Sequence, residues 1–211
     1  MVSKRIKAVV SQISGKVLAD IGTDHGYIAI EALREQRVSR AILCDINRRP
    51  LQRASENISA AGLNDRAEVR LGNGLTPLRP GEADCISIAG MGGMLMIEIL
   101  KAEEPSPCLV LQPQLDINAV RRFVHSIGFK IADEQMLFEG RFYTVMRCER
   151  GFEEYTDAEY EYGRLLIERK DSVLKQYLIY RITELEKILR MHESAEIIKE
   201  KNICGEVLNC M

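Results

Sequence analysis

The stretch Val17-Leu18-Ala19-Asp20-Ile21-Gly22-Thr23-Asp24-His25-Gly26-Tyr27-Ile28-Ala29-Ile30 constrains the fold of this chain more than any other. It reads as a buried strand ending beyond an acid, a tight glycine-bearing turn, and the first turn of a helix. Glycine lets backbone come close to a ligand, and a helix N-terminus presents unpaired N–H groups to it. In an open α/β sheet such a turn falls at the carboxyl ends of the strands, near the topological switch point. Residues 17–30 therefore predict a cofactor crevice.

The rest of the chain repeats that rhythm. Residues 3–13 predict a short helix with Ile6, Val9, Val10 and Ile13 on one face. Strands are expected over 16–21, 41–45, 67–71, 83–89 and 108–111, with helices over 27–36, 50–61, 93–101 and 118–126. Pro50 suits a first helical turn, Gly62 a helix end, and Asp116 an N-terminal cap. After Gly128 the rhythm changes, because residues 129–138 and 142–148 are separated only by Glu139-Gly140-Arg141. That spacing is a hairpin, not a crossover. The prediction is α/β: a seven-stranded mixed sheet with helices on both faces.

From Tyr155 onward the pattern is helical. An apolar stripe from Leu166 to Leu189 advances in three- and four-residue steps, with Glu184–Lys187 and Glu186–Arg190 as local ion pairs. The stripe is too short and irregular for a free-standing coiled coil. It predicts a coiled-coil-like antiparallel hairpin, broken near Lys170-Asp171-Ser172 or His192-Glu193-Ser194. Two units result: residues 1–150 as the cofactor domain and 151–211 as a helical lobe.

Composition excludes several classes. With 46% hydrophobic and 28% charged residues in 211, the chain is an ordinary globular one. No apolar run reaches the roughly 18 residues of a membrane span, and the basic N-terminus lacks the apolar core of a secretory signal. A cytoplasmic, non-membrane protein with no evident obligate protein partner is expected. The six cysteines lack metal-ligand spacing, so neither zinc nor a disulfide is assigned. Cys44, Cys85, Cys108 and Cys148 read as buried, and Cys204 and Cys210 as the reactive thiols of a frayed tail. His125 and His192 read as surface residues. Residues 1–150 carry a net charge of +2 and residues 151–211 a net −4, which neither requires nor forbids a nucleic-acid partner.

Two cofactor classes compete for the first turn. A dinucleotide fold wants G-x-G-x-x-G, with pyrophosphate on the helix N-terminus. This chain places Asp24 where that pattern needs its second glycine. A carboxylate about 4 Å from a phosphate charge costs about 4 kcal/mol at an effective dielectric near 20. A ligand carrying an ammonium and a sulfonium is instead attracted by Asp20 and Asp24.

Asp20-Ile21-Gly22-Thr23-Asp24-His25-Gly26 resembles the first motif of the class I S-adenosyl-L-methionine (SAM)-dependent methyltransferases, with Asp24 in place of the middle glycine. Asp45, followed by Ile46 and Asn47, matches the acid that meets the ribose hydroxyls there. Gly72-Asn73-Gly74 matches the turn at the adenine ring. Ala89-Gly90-Met91-Gly92-Gly93 stands where base-methylating members carry (D/N)-P-P-(Y/F). Together with Leu111-Gln112-Pro113-Gln114, the Glu139-Gly140-Arg141-Phe142-Tyr143 hairpin and the helical C-terminus, these motifs resemble the bacterial tRNA adenine-N1 methyltransferases acting on adenine 22 of the D-arm.

The resemblance implies a Rossmann-like sheet, SAM as cofactor and tRNA as partner. It places Asp20, Gly22, Thr23, His25, Gly26, Tyr27, Asp45, Ile46, Asn47, Gly72, Asn73, Gly74, Ala89 and Gly90 around SAM. Asp24, Gly90 and Met91 would serve the methyl transfer, and Met91, Gly92, Gln112 and Pro113 would touch the base. Arg48 and Arg49, just past the second strand, are candidate phosphate contacts. A methyltransferase acting on a small molecule or protein, and a non-catalytic RNA-binding module of the same fold, are the alternatives.

Overall fold

The computed structural model describes residues 2–103, 105–192 and 194–211. Its first helix, α1 (Lys4–Gln12), is capped by the Ser3 side chain, which accepts from the Ile6 amide. Five strands then run parallel: β1 (Val17–Ile21), β2 (Arg40–Asp45), β3 (Ala67–Leu71), β4 (Cys85–Met91) and β5 (Cys108–Pro113). Between and after them lie α2 (Tyr27–Arg34), α3 (Arg48–Ala60), α4 (Gly93–Ala102) and α5 (Ile117–Ser126). The long hairpin β6 (Phe129–Glu139) and β7 (Arg141–Arg150) closes one edge antiparallel, β7 lying between β5 and β6. The sheet order is β3-β2-β1-β4-β5-β7-β6, so the switch point falls between β1 and β4.

Why these residues make this sheet follows from burial. β1, β2, β4 and β5 are nearly continuous apolar runs, as strands covered on both faces must be. Ile21, Ile42, Ile86, Ile88 and Leu111 pack on one face toward Met96 and Val124. Leu18, Leu43 and Val110 pack on the other toward Val9, Val10, Ile30 and Leu33. β3, at the open edge, is half exposed, and its Arg70 pairs with Glu68 and Glu82.

The helical tail forms a third, smaller core around Tyr162, Leu166, Leu174, Leu178, Leu185, Cys204 and Val207. Among the described residues it consists of α6 (Asp157–Tyr162), α7 (Arg164–Glu168), α8 (Ser172–Met191) and α9 (Ala195–Cys210). Both expected breaks occur, at 169–171 and at 192–194; Glu193 itself lies outside the described residues. Asp171 caps α8 by accepting from the Val173 and Leu174 amides. Arg121 pins this lobe to the sheet. Its guanidinium, 1% exposed, donates to the buried Glu134 of β6 at 2.7 and 2.9 Å, and to the Tyr160 and Glu161 carbonyls of α6.

Several expectations need correction. Cys204 is not in a frayed tail: it is fully buried in α9, its sulfur 2.9 Å from the Tyr162 hydroxyl, while Cys210 is exposed. His125 is not a surface residue, since its ring contacts Tyr160 at 3.0 Å and Glu153 at 3.1 Å with 7% of the side chain exposed. Glu186 pairs with Lys201 across α8 and α9, not with Arg190, because the hairpin brings that longer-range partner closer. Asp116 precedes α5 but gives no capping bond; its backbone is left-handed at φ 56°.

Candidate functional site

The turn after β1 is built almost wholly from backbone. The Gly22 and Thr23 amides donate to the Cys44 carbonyl of β2 at 2.8 and 3.2 Å, folding the chain sharply away from the strand. Gly22 has φ +71°, a conformation that favours glycine, and a Cβ there would fall 1.7 Å from the Met91 methyl, which would have to swing aside. The Gly26 amide donates to the Thr23 hydroxyl, and Gly26 opens α2 without a side-chain cap. The first turn of α2 therefore faces the cavity with its own N–H groups.

That cavity, about 260 Å³, is lined by Asp20, Gly22 through Ile28, Ala89, Gly90, Gln114, Arg5 and Ile6. Asp20 is buried; it accepts from the Ser87 hydroxyl at 2.7 Å, and burial lifts its carboxyl above the usual range. Asp24 stands at the rim, its two oxygens 3.1 Å from His25 Nε2 and 3.2 Å from Arg53. The His25 ring stacks on Tyr27 at 5.3 Å. Opposite, a bulge in β4 at Gly90 (φ +80°) opens the wall beside Arg5.

Asp45, Asn47 and Gly72 sit together at the ends of β2 and β3. Asp45 accepts from the Asn47 amide at 2.7 Å, and its carbonyl accepts from the Gly72 amide at 3.0 Å. Gly72, Asn73 and Gly74 follow β3 directly, one strand beyond Asp45, whereas Asp20 is one strand before it. A strand-end row of this kind suits an extended ligand lying across β1, β2 and β3.

A family model described as a methyltransferase domain matches residues 2–146. A tRNA (adenine(22)-N(1))-methyltransferase of Bacillus subtilis is 37% identical over 155 residues, which cover 71% of this chain and 65% of that enzyme. A candidate tRNA (m1A22) methyltransferase of Streptococcus pneumoniae, crystallised with SAM, is 30% identical with a TM-score of 0.91, over 99% of this chain and 100% of that one. The crystal structure of the B. subtilis m1A22 tRNA methyltransferase TrmK is 29% identical with a TM-score of 0.87, over 99% of both chains. The chain belongs to the tRNA adenine-N1 methyltransferase family. The alignment with the curated B. subtilis enzyme spans just under two thirds of that enzyme's length.

Within this family member, not every expected residue reaches the cavity. Gln112 and Pro113 are buried in β5; Gln112 Oε1 accepts from Arg5 at 2.9 Å and its amide donates to the Pro113 carbonyl. Gln114, one residue beyond Pro113, takes the exposed position instead. Met91 packs back over Gly22 and against the core cluster. Arg48 and Arg49 are exposed at the start of α3 and form no ion pair with the described residues.

Sequence reasoning missed Arg5. Its guanidinium, half-buried at the cavity wall, donates to the neutral Gln112 side chain and lies near the Tyr143 ring (5.8 Å), with Glu139 the nearby carboxylate that feels its charge. The backbone amides of Lys4 and Arg5 donate to Glu139, 135 and 134 residues later. No local pattern signals a contact of that range. On the helical lobe, Arg164 pairs with Glu168 and Arg169 with Asp133.

Proposed function

We propose that the protein transfers a methyl group from SAM to N1 of an adenine in tRNA, the position-22 adenine of the D-arm. The observation that carries this reading is the cavity itself: a glycine turn, a buried acid and a helix N-terminus at the switch point, with the Gly90 bulge opposite. When bound, SAM supplies the electrophilic methyl group on a sulfonium.

The residues fit that ligand. Asp20, Gly22 and the Thr23–His25 turn hold the methionine end, with Gly26 and Tyr27 at the start of α2. Arg5 supplies the cation that an α-carboxylate requires. Asp45 accepts from ribose hydroxyls, flanked by Ile46 and Asn47. Gly72, Asn73 and Gly74 form the rim for adenine. Ala89 and Gly90 leave room for the reacting atoms.

Adenine N1 carries an in-plane lone pair and needs no base to become nucleophilic. The protein's task is alignment, with reacting atoms about 3–3.5 Å apart. Main-chain carbonyls of Gly90, Met91 and Gly92 can accept from the N6 amino group. Asp24, oriented by His25 and Arg53, places a carboxylate where positive charge grows on the base. A Watson–Crick pair would block N1, so the base must be extruded or already unpaired. Arg48 and Arg49 provide phosphate contacts, and residues 151–211 form a lobe gripping the tRNA body. Among the described residues no helix is long and apolar enough to cross a membrane.

Radiolabelled SAM and unmodified tRNA transcripts, followed by mapping of reverse-transcription stops, test the proposal. Label in tRNA with a single D-arm stop is expected. Label in protein or small molecules instead would move the activity to another substrate, and binding without turnover would leave a non-catalytic module. For the site, Asp45→Ala should abolish SAM binding in calorimetry; unchanged affinity overturns the assignment of Asp45.

A further inference from the structure

A second cavity of about 340 Å³ lies between the end of β5, the β6–β7 hairpin and the helical lobe, lined by Gln114, Asn118, Met136, Phe142, Thr144 and Tyr177 among others. Its lining mixes aromatic and apolar side chains with amides and hydroxyls, and the charged Asp116, Glu161 and Arg121 complete it, Arg121 being already bound to Glu134. The Thr144 side chain is fully buried, and its hydroxyl has no hydrogen-bond partner among the described residues. A buried polar group left unpaired costs stability and marks a place where a ligand completes the bonding. Gln114 lines both this cavity and the cofactor cavity, so the two sites share a wall one residue thick.

The rings around the opening form an aromatic cluster, tilted or edge-on to one another. Phe142 lies 5.2 Å from Tyr177, 4.9 Å from Phe138 and 5.9 Å from Tyr180. Phe138 and Tyr180 are half exposed, at 49% and 53%, which leads the cluster from solvent into the cavity. Aromatic faces beside amide and hydroxyl groups are how proteins hold unpaired nucleobases.

We propose that this cavity receives a second extruded base, that of the nucleotide adjoining the methylated adenine. The inference rests on the tRNA reading of the neighbouring site. Phe142 takes the stacked face with Tyr177 edge-on beside it, and the Thr144 hydroxyl and the Gln114 amide meet the polar edge. Gln114, between the two bases, holds their spacing. Occupying both cavities turns the chain of the RNA outward at two successive nucleotides, which fixes the target before transfer.

The probe is a tRNA transcript carrying 2-aminopurine at one flanking position at a time, bound to the enzyme with S-adenosylhomocysteine present so that no turnover is needed. One flanking position should lose its fluorescence by stacking, and Phe142→Leu should restore it. Phe142→Leu should also lower kcat/KM for tRNA about ten-fold, and Thr144→Val several-fold. SAM affinity should not change in either variant. Thr144→Val should keep or raise the thermal midpoint, because it removes a hydroxyl that the fold leaves unpaired; a purely structural threonine would lower it. Quenching independent of Phe142, equal quenching at every position, or full tRNA kinetics in both variants overturns the proposal. Position-specific quenching without any methylation would instead overturn the proposed activity and leave this site standing.

Discussion

The strand-end site and the seam beneath the helical lobe are built from different materials. Around Gly22, Gly26 and Gly90 the chain uses backbone: positive φ angles, amides donating to the Cys44 carbonyl, and the open end of α2. At the seam it uses side chains: Arg121 on Glu134, His125 on Glu153 and Tyr160, Tyr162 on Cys204. A backbone site is specified locally and tolerates almost no added atom. A side-chain seam is specified by distant partners, and its cost appears when one of them is removed.

The sharpest break should come at the seam. Arg121→Met leaves Glu134 buried without its cation and should cost about 3–5 kcal/mol in urea unfolding. Pairing it with Glu134→Leu should recover much of that loss. If SAM affinity survives in the repaired double variant, the two regions are energetically separate.

The next test is on the backbone side. Gly22→Ala puts a Cβ on the Met91 methyl at a left-handed φ. The backbone alone costs about 1–2 kcal/mol, and cofactor affinity should fall far more than the unfolding free energy. An equal fall in both would erase the distinction drawn above.

Asp20→Asn sharpens it further, because there the two demands conflict. Burial raises the Asp20 carboxyl, so its charge costs stability once pH exceeds the ordinary value near 3.8. Asparagine should therefore hold or raise stability at pH 7, with the gain fading at acid pH, while SAM affinity falls. Chemical denaturation at pH 7 and pH 4 beside calorimetry separates the effects.

The smallest effect concerns His125. Burial holds its imidazole below the ordinary value near 6.5, against the opposing pull of Glu153. As pH falls below 6.5 the unfolded chain takes up the proton first, so stability should decline there. His125→Gln should flatten that part of the profile in urea midpoints taken between pH 7.5 and 5.5.

The same contrast explains what could be read from the amino acids alone. The β1 turn, the β4 bulge glycines and the hairpin around Gly140 carry their instructions in adjacent residues, so the seven-stranded mixed sheet and the cavity's floor were legible, though the strand order was not. Arg5, Gln114 and the burial of Gln112 were not, because α1 meets β5 only in three dimensions. His125 and Cys204 misled for the same reason: each sits on a helix whose buried face is set by partners 28 to 42 residues away.

The bond from Glu139 to the Lys4 and Arg5 amides has a consequence for biogenesis. The first helix emerges from the ribosome early, yet the residue that anchors its start is made near the end of the sheet. Until β6 and β7 have emerged and paired, the Lys4 and Arg5 amides lack their acceptor, and α1, which carries Arg5 and Ile6 of the cavity wall, lacks that anchor. A nascent chain halted before residue 139 therefore holds the glycine turn without this tether on the Arg5 side of the cavity.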